Sequence, residues 1–154
     1  MKLAEALITR ADLKRRIEQV QTRISANARY QEGEEPHEDA LALVTEASEA
    51  LDRLETIVVA INLTNASTRL ADGRTMTAAL ARRETLRARF SLLSRSADSA
   101  QGTSGGYRQM RSELRQIAAL PVTELRQQAD DVARELRRLD IEIQRTNWEA
   151  DLQG

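Results

Sequence analysis

Apolar side chains recur at alternating spacings of three and four residues along most of this chain. In the first such stretch the repeating positions are Leu3, Ala6, Arg10, Leu13, Ile17, Val20, Ile24 and Asn27. This spacing matches the a and d positions of a heptad, which place one apolar seam along a helix. It predicts a helix from about residue 2 to residue 30 that packs lengthwise against another helix. Two seam positions, Arg10 and Asn27, are polar and are expected to fix the pairing of the helices.

Three further stretches carry the same spacing. Their seam positions are Val44, Ala47, Leu51, Leu54, Val58, Ile61 and Asn65; then Met76, Ala79, Arg83, Leu86, Phe90, Leu93 and Ala97; then Val122, Leu125, Ala129, Val132, Leu136, Leu139, Ile143 and Thr146. The first two predicted helices form a hairpin over residues 2–64, because only the short polar segment 31–39 connects them. The others span residues 76–97 and 123–148. The predicted fold is all-α, an elongated antiparallel bundle of long helices.

Length and composition predict how many domains the chain forms and which cellular compartment suits it. The chain has 154 residues, of which 3% are aromatic and six are glycine, and it lacks cysteine. This length predicts a single domain over residues 1–154, and the lack of cysteine suits the reducing cytoplasm. No stretch reaches the roughly 18 apolar residues of a membrane span. Glycine and serine predict a flexible loop at 99–107, whereas the conformation of 108–122 stays open.

Charge is unevenly distributed although the net charge is only −1. Residues 31–55 contain nine acidic side chains and one basic side chain, whereas residues 69–115 contain ten arginines and four acidic side chains. Opposite charges of this kind indicate pairing within the chain or between subunits. Nucleic-acid-binding proteins more often carry a net positive charge, so nucleic acid is not the expected partner. Apolar residues outside the seams, such as Leu7, Ile8, Leu43, Ile57 and Leu80, predict a homo-oligomer or a protein partner.

Few side chains offer catalytic or metal-binding chemistry. The single histidine, His37, lies in the acidic segment 31–39, whose spacing does not match a calcium-binding EF-hand loop. We therefore predict no metal and no cofactor. A general base at the polar segment described next would have to be Asp72 or Glu84, and neither has an identifiable catalytic partner.

Polar residues interrupt the seams between the second and third helices. Asn62, Thr64 and Asn65 replace apolar residues there, Asp72–Gly73 is typical of a turn, and Thr75 or Thr77 suits a helix N-cap. In an up-down-up-down bundle this segment would share one end with the start of helix one and the end of helix four. The candidate polar cluster is Asn62, Thr64, Asn65, Asp72, Gly73, Thr75, Thr77, Arg82, Arg83, Asn147 and Trp148. It is either a hydrogen-bonded bundle end or a site for a small ligand or partner.

Four segments resemble a poorly characterised bacterial family of small helical proteins, some of whose members are labelled septicolysin. The segments are MKLAEALITRADL at 1–13, QEGEEP at 31–36, INLTNASTRLADGRTMTAALARRETL at 61–86 and LDIEIQRTNWEADL at 139–152. The resemblance covers nearly the whole chain and implies that the cluster residues other than Asp72 matter to the family, without implying a mechanism. A secreted pore former should carry an export signal and a membrane-inserting segment, and this sequence predicts neither.

Three classes of function remain open. A helical interaction or structural protein, oligomeric and cytoplasmic, accounts for the seams and for the scarcity of catalytic groups. An RNA-binding coiled-coil module is the second class, because exposed arginines on long helices can contact phosphates. An enzyme or small-ligand binder that uses the polar end is the third. We expect a non-enzymatic protein.

Overall fold

The computed structural model describes residues 1–102 and 116–154 and confirms the all-α prediction. It contains α1 (Leu3–Asn27), α2 (Ala40–Ser67), α3 (Met76–Gln101) and α4 (Val122–Glu149). Internal contacts divide the chain into two compact units. Unit 1 comprises Met1–Arg69 and Gln144–Gly154, and unit 2 comprises Leu70–Ile143. No helix in the described ranges combines the length and the apolar character needed to cross a bilayer.

Unit 1 is built on the predicted antiparallel hairpin of α1 and α2. The seam of α1 faces the interior as expected: Leu3, Ala6, Val20 and Asn27 are buried. Arg16 of α1 pairs with Glu46 of α2, and Arg23 of α1 pairs with Glu38, just before α2 begins. The order of these pairs shows that the helices run in opposite directions.

The predicted seam of α2 was partly wrong. Leu43 and Ala50 are buried, whereas the predicted seam residues Val44 and Leu51 are 44% and 51% exposed. The inward face follows Leu43, Ala47, Ala50, Leu54, Ile57, Ile61 and Thr64. Both possible seams contain Ala47, Leu54 and Ile61, so spacing alone could not distinguish them. One residue corresponds to about 100° of rotation around a helix, so α2 carries a second apolar face that points outward.

Asn27 shows why a polar residue occupies the end of the α1 seam. Its Nδ2 donates to the carbonyl oxygen of Arg23 at 2.9 Å, and its Oδ1 accepts from the backbone N–H of Glu38 at 3.0 Å. A single buried carboxamide thus connects the last turn of α1 to the approach to α2. Asp39 then caps α2 by accepting from the N–H groups of Leu41 and Ala42. These bonds fix where the hairpin turns.

The polar residues at the end of α2 do not stop the helix at residue 64, as the sequence had predicted. Helix α2 continues to Ser67. The hydroxyl of Thr64 donates to the carbonyl of Ala60 at 2.8 Å, and that of Ser67 donates to the carbonyl of Leu63 at 3.0 Å. Hydroxyl groups that bond one turn back satisfy themselves within the helix and need not break it.

Unit 2 begins with a tight turn and continues as a second hairpin. Leu70 exchanges backbone hydrogen bonds with Arg74 and Gly73 at 2.9 Å, and Gly73 adopts a φ of +85°, which favours glycine. Thr75 then caps α3. Ion pairs between Arg82 and Glu135 and between Asp98 and Arg126 show that α3 and α4 are antiparallel. The buried side chains of this unit are Leu70, Met76, Ala79, Leu86, Ala97, Ala129, Leu139 and Ile143.

The ends of the second hairpin differ from the predicted bounds. Helix α3 extends beyond residue 97 to Gln101, so the first residues of the predicted 99–107 loop are helical. Gly102 ends the helix with a φ of +75°, and its N–H donates to the carbonyl of Ser99 at 3.2 Å. The rest of that predicted loop, 103–107, lies outside the described residues. Residues 116–121 are not helical, and α4 begins directly after Pro121.

Candidate functional site

The predicted polar cluster is divided between the two units. Unit 1 contains Asn62, Thr64, Asn65, Asn147 and Trp148, whereas unit 2 contains Asp72, Gly73, Thr75, Thr77, Arg82 and Arg83. Each group therefore has its own local geometry.

In unit 2 the cluster residues near the turn have structural partners. The Asp72 carboxylate accepts from the N–H of Arg74 at 3.1 Å and pairs with the Arg74 guanidinium at 2.6 Å. The Thr75 hydroxyl accepts from the N–H of Ala78 at 3.2 Å, which is the N-cap bond of α3. Thr77 is exposed. Asp72, Gly73 and Thr75 thus form the turn and the cap.

The two arginines of the cluster connect α3 to α4. Arg82 directs Nε and Nη2 to the same oxygen of Glu135, at 3.0 and 2.7 Å. Arg83 lies on the seam with its side chain 23% exposed, 3.4 Å from Glu84 and 3.9 Å from Asp140. Neighbouring carboxylates thus balance both cations.

In unit 1 the two ends of the chain are joined by a set of bonds that we call the terminal clasp, comprising residues 1–3 and 149–153. Leu3 donates its N–H to the carbonyl of Ala150 at 3.0 Å, and Leu152 donates to the carbonyl of Met1 at 2.9 Å. The Lys2 ammonium lies 2.7 Å from the carboxylate of Asp151. This hydrogen bond lowers the pKa of Asp151 below its ordinary value. Heptad spacing carries no signal for the clasp, since backbone groups make most of it.

Thr64 attaches the clasp to α2. Its side chain is fully buried, and its hydroxyl oxygen accepts from the N–H of Gln153 at 2.9 Å while donating to Ala60. Both hydrogen-bonding roles of the hydroxyl are used. Thr64 is therefore a structural residue within the predicted cluster.

Asn147 and Trp148 lie together on a cavity of about 340 Å³ between α1 and α4. Asn147 is only 7% exposed, and its carboxamide makes no hydrogen bond to any described part of the chain, although neither of its polar atoms is among the fully buried ones that lack a partner. Trp148 is 56% exposed. Asn62, Thr64 and Asn65 do not line this cavity: Asn62 is exposed and Asn65 half-buried on α2. The cavity is lined by Ala4, Leu7, Ile8, Ala11, Gln144, Asn147 and Trp148.

A second candidate surface is the outward face of α2, which the polar cluster did not include. We call it the outward stripe and define it as Leu41, Val44, Leu51, Val59 and Leu63. These side chains are between 44% and 75% exposed. The C-terminal half of the stripe opens onto a groove of about 530 Å³, lined by Met1, Glu55, Thr56, Ile57, Val59, Ala60, Leu63, Leu152 and Gly154. The signal was present in the sequence, because Val44 and Leu51 belong to a heptad pattern that does not face the core.

The acidic side chains of the described residues do not form a metal-binding group. Within residues 1–102 and 116–154, no group of three or more histidine, cysteine, aspartate or glutamate side chains is arranged to hold a metal ion. Oppositely charged side chains that lie close together form ion pairs. The hydrogen bond from Arg23 holds the pKa of Glu38 below its ordinary value, and the same contact raises the pKa of Arg23.

Comparison with known proteins gives a structural relative and a family. A solved structure described as a functionally unknown conserved protein from Corynebacterium diphtheriae is similar to this chain with a TM-score of 0.91 and 37% identity, over 99% of both chains. The search of curated proteins finds no significant match. Residues 10–152 match the model of a family described as "Family of unknown function (DUF6847)". The chain belongs to this DUF6847 family.

Proposed function

We propose that this protein is a helical interaction protein that pairs with a second copy of itself through the outward stripe of α2. The observation that carries the proposal is that α2 has two apolar faces. One face packs on α1, whereas Leu41, Val44, Leu51, Val59 and Leu63 remain exposed. An apolar row that follows a helix is a typical surface for another helix.

The order of residues along the stripe favours a second copy over an unrelated partner. If two α2 helices lie antiparallel with a twofold axis between residues 51 and 52, Val44 of one copy is opposite Val59 of the other. In the same arrangement Leu41 comes within one residue of Leu63, and Ser48 is opposite Glu55. Apolar residues thus meet apolar residues at both ends of the contact, whereas Leu51 is opposite Asp52 at its centre. A surface that complements itself under a twofold rotation suits an isologous dimer.

The groove beside Leu63 supports the same arrangement. Leu41 is the most exposed residue of the stripe, at 75%, and the groove next to Leu63 is formed by Val59, Ala60 and Leu152. In the antiparallel pair, Leu41 of each copy would enter the groove of the other. A contact made mainly by two helices has an area near the lower bound for specific interfaces, about 1,000 Å². We therefore propose a micromolar dissociation constant.

Other aspects of the proposed function rest on the sequence and on the ion pairs already described. The cytoplasm is the proposed location because the sequence lacks cysteine. The septicolysin resemblance stays a hypothesis about ancestry. RNA binding and catalysis rank below self-association: Arg82 and Arg83 already face carboxylates, and Asp72 is occupied by Arg74. A protein partner on the stripe in place of a second copy is the main alternative.

Sedimentation equilibrium with charge variants tests the proposal. Val44→Lys and Val59→Glu should each weaken the dimer about tenfold or more, because each places a charge in an apolar contact. Combining both in one chain should restore association, since the introduced lysine of one copy would then be opposite the introduced glutamate of the other. Parallel helices would not bring these positions together. Raising the salt concentration from about 50 mM to about 500 mM should not dissociate the wild-type dimer, because apolar contacts hold it.

Ile141→Glu is the matched control. Ile141 is 69% exposed, but it lies on α4 in unit 2, so its substitution should leave the association unchanged. A wild-type protein that stays monomeric at about 100 μM would overturn the proposal. So would a dimer that both single variants leave intact. A double variant that remains dissociated would contradict the antiparallel arrangement.

A further inference from the structure

We propose that the cavity between α1 and α4 in unit 1 binds a small, neutral, flat molecule that carries a carboxamide or a comparable ring amide. Trp148 would contact the ring, and Asn147 would bond the amide edge. This site is separate from the outward stripe and does not depend on self-association.

The first observation is that the Asn147 carboxamide has no hydrogen-bonding partner in the described chain. A carboxamide offers two N–H donors and one carbonyl acceptor, and a buried carboxamide normally uses them. The other buried asparagine, Asn27, does so by bonding both Arg23 and Glu38. Asn147 is equally buried but forms no such bond among residues 1–102 and 116–154. Neither amide atom of Asn147 is sealed from solvent without a partner, so the carboxamide is available to a molecule that enters the cavity.

The second observation is the composition of the cavity wall. None of its lining side chains carries a charge, and its large apolar side chains are Leu7, Ile8 and Trp148. Gln144 lies one turn before Asn147 on α4 and adds a second carboxamide. A charged ligand would lose its hydration without gaining a counter-charge here. The cavity therefore favours an uncharged ligand with a flat apolar body.

The third observation is size. About 340 Å³ is near the lower end of volumes found for small-molecule sites. One ring with an amide substituent fits this volume better than a nucleotide or a lipid chain. Ring stacking on Trp148 and amide pairing with Asn147 are compatible in one ligand, because the two residues are adjacent and line the same cavity.

Benzamide is a suitable probe, and nuclear magnetic resonance is a suitable readout. The side-chain N–H signals of Asn147 and Trp148 can be followed directly, and Trp148 is the only tryptophan in the sequence. Benzamide should shift both signals saturably, with a millimolar dissociation constant expected for a fragment of this size. Benzoate, which has the same ring with a negative charge, and toluene, which lacks the amide, should each bind about tenfold more weakly.

Variants separate the site from general surface effects. Asn147→Leu should weaken benzamide binding about tenfold while keeping toluene binding, and its melting temperature should equal or exceed that of the wild type. The control Asn62→Ala removes an exposed asparagine of the same unit and should change nothing. Should Asn147→Leu fail to fold, Trp148→Leu replaces an exposed ring, and the Asn147 signals then report the expected loss.

Four results would overturn the proposal. Benzamide could fail to produce a saturable shift. It could bind no better than toluene, or equally well to Asn147→Leu, which would show an apolar cavity without amide recognition. Finally, the Asn147 and Trp148 signals could shift with protein concentration alone, which would show that a second copy fills the cavity.

Discussion

The backbone N–H of Gln153 donates to the buried hydroxyl of Thr64 at 2.9 Å, across 89 positions of sequence. The same hydroxyl donates to Ala60 at 2.8 Å. One side chain near the end of α2 therefore holds the terminal clasp in place.

Thr64→Val should release this contact. Valine has nearly the same shape but cannot accept the hydrogen bond, so the N–H of Gln153 loses its partner at a cost of about 1–3 kcal/mol in the free energy of unfolding. Urea denaturation measures the loss, and faster hydrogen exchange at Gln153 locates it. Thr64→Ser keeps the hydroxyl and should keep the protection of Gln153. Unchanged exchange in Thr64→Val would show that the bond does not hold the clasp.

Asn27→Ala should destabilise the first hairpin. The substitution removes the acceptor of the Glu38 N–H in a buried place, which costs about 1–3 kcal/mol. Chemical denaturation checks the value. Asn62→Ala is the control, because Asn62 is exposed and should change stability by less than about 0.5 kcal/mol. Equal effects of the two substitutions would contradict a specific role for Asn27.

Glu38→Gln should lower stability near neutral pH and have no effect in strong acid. The bond from Arg23 lowers the pKa of Glu38 in the folded state, so the folded protein releases this proton more readily than the unfolded chain. The stabilisation is present above the ordinary glutamate pKa of about 4.3 and is lost as the pH falls through the lower folded pKa. Melting temperatures of both proteins from about pH 7 to about pH 2 test this. A difference that persists in strong acid would show that packing, not charge, explains the effect.

Arg83→Ala and Arg83→Met together distinguish a structural arginine from one that awaits an anion. If the partly buried stem of Arg83 packs on the seam, Arg83→Ala should cost about 1–2 kcal/mol and Arg83→Met should recover most of it. We expect this result because Glu84 and Asp140 face the guanidinium. Thermal unfolding provides the comparison. An alanine variant as stable as the wild type, or more stable, would favour an anionic ligand.

Heptad spacing was enough to predict most of the fold. It identified all four helices and the inward faces of α1 and α4, as shown by Val20 and Ile143, which are buried where expected. It predicted the wrong inward face for part of α2. Val44 and Leu51 belong to a second apolar face, and heptad spacing cannot distinguish that face from the one that packs in the core. It was also imperfect on α3, where the predicted seam residue Phe90 is 40% exposed. Periodicity reports which faces are apolar, not what covers each face.

The candidate site was less predictable. The sequence predicted both Asn147 and Thr64 as cluster residues because they are polar. In the structure the Asn147 carboxamide has no hydrogen-bonding partner in the described chain, whereas the Thr64 hydroxyl both donates and accepts a hydrogen bond. Only the structure shows which polar side chains have hydrogen-bonding partners within the protein. The terminal clasp was not foreseen at all, because backbone atoms of Leu3 and Leu152 make it and every residue has the same backbone donors and acceptors.

The discontinuity of unit 1 has a kinetic consequence. The α1–α2 hairpin is completed by Gln144–Gly154, so its final contacts form only after the 74 residues of unit 2, Leu70–Ile143, have been synthesised. During that interval the fully buried residues Leu3, Ile61 and Thr64 lack their last covering segment, whereas unit 2 is continuous in sequence. Closing so long an intervening segment adds an entropic barrier that grows with the logarithm of its length. Docking of residues 144–154 on the first hairpin should therefore come late in folding on the ribosome, and a nascent chain stalled before residue 144 should leave that hairpin open to proteolysis.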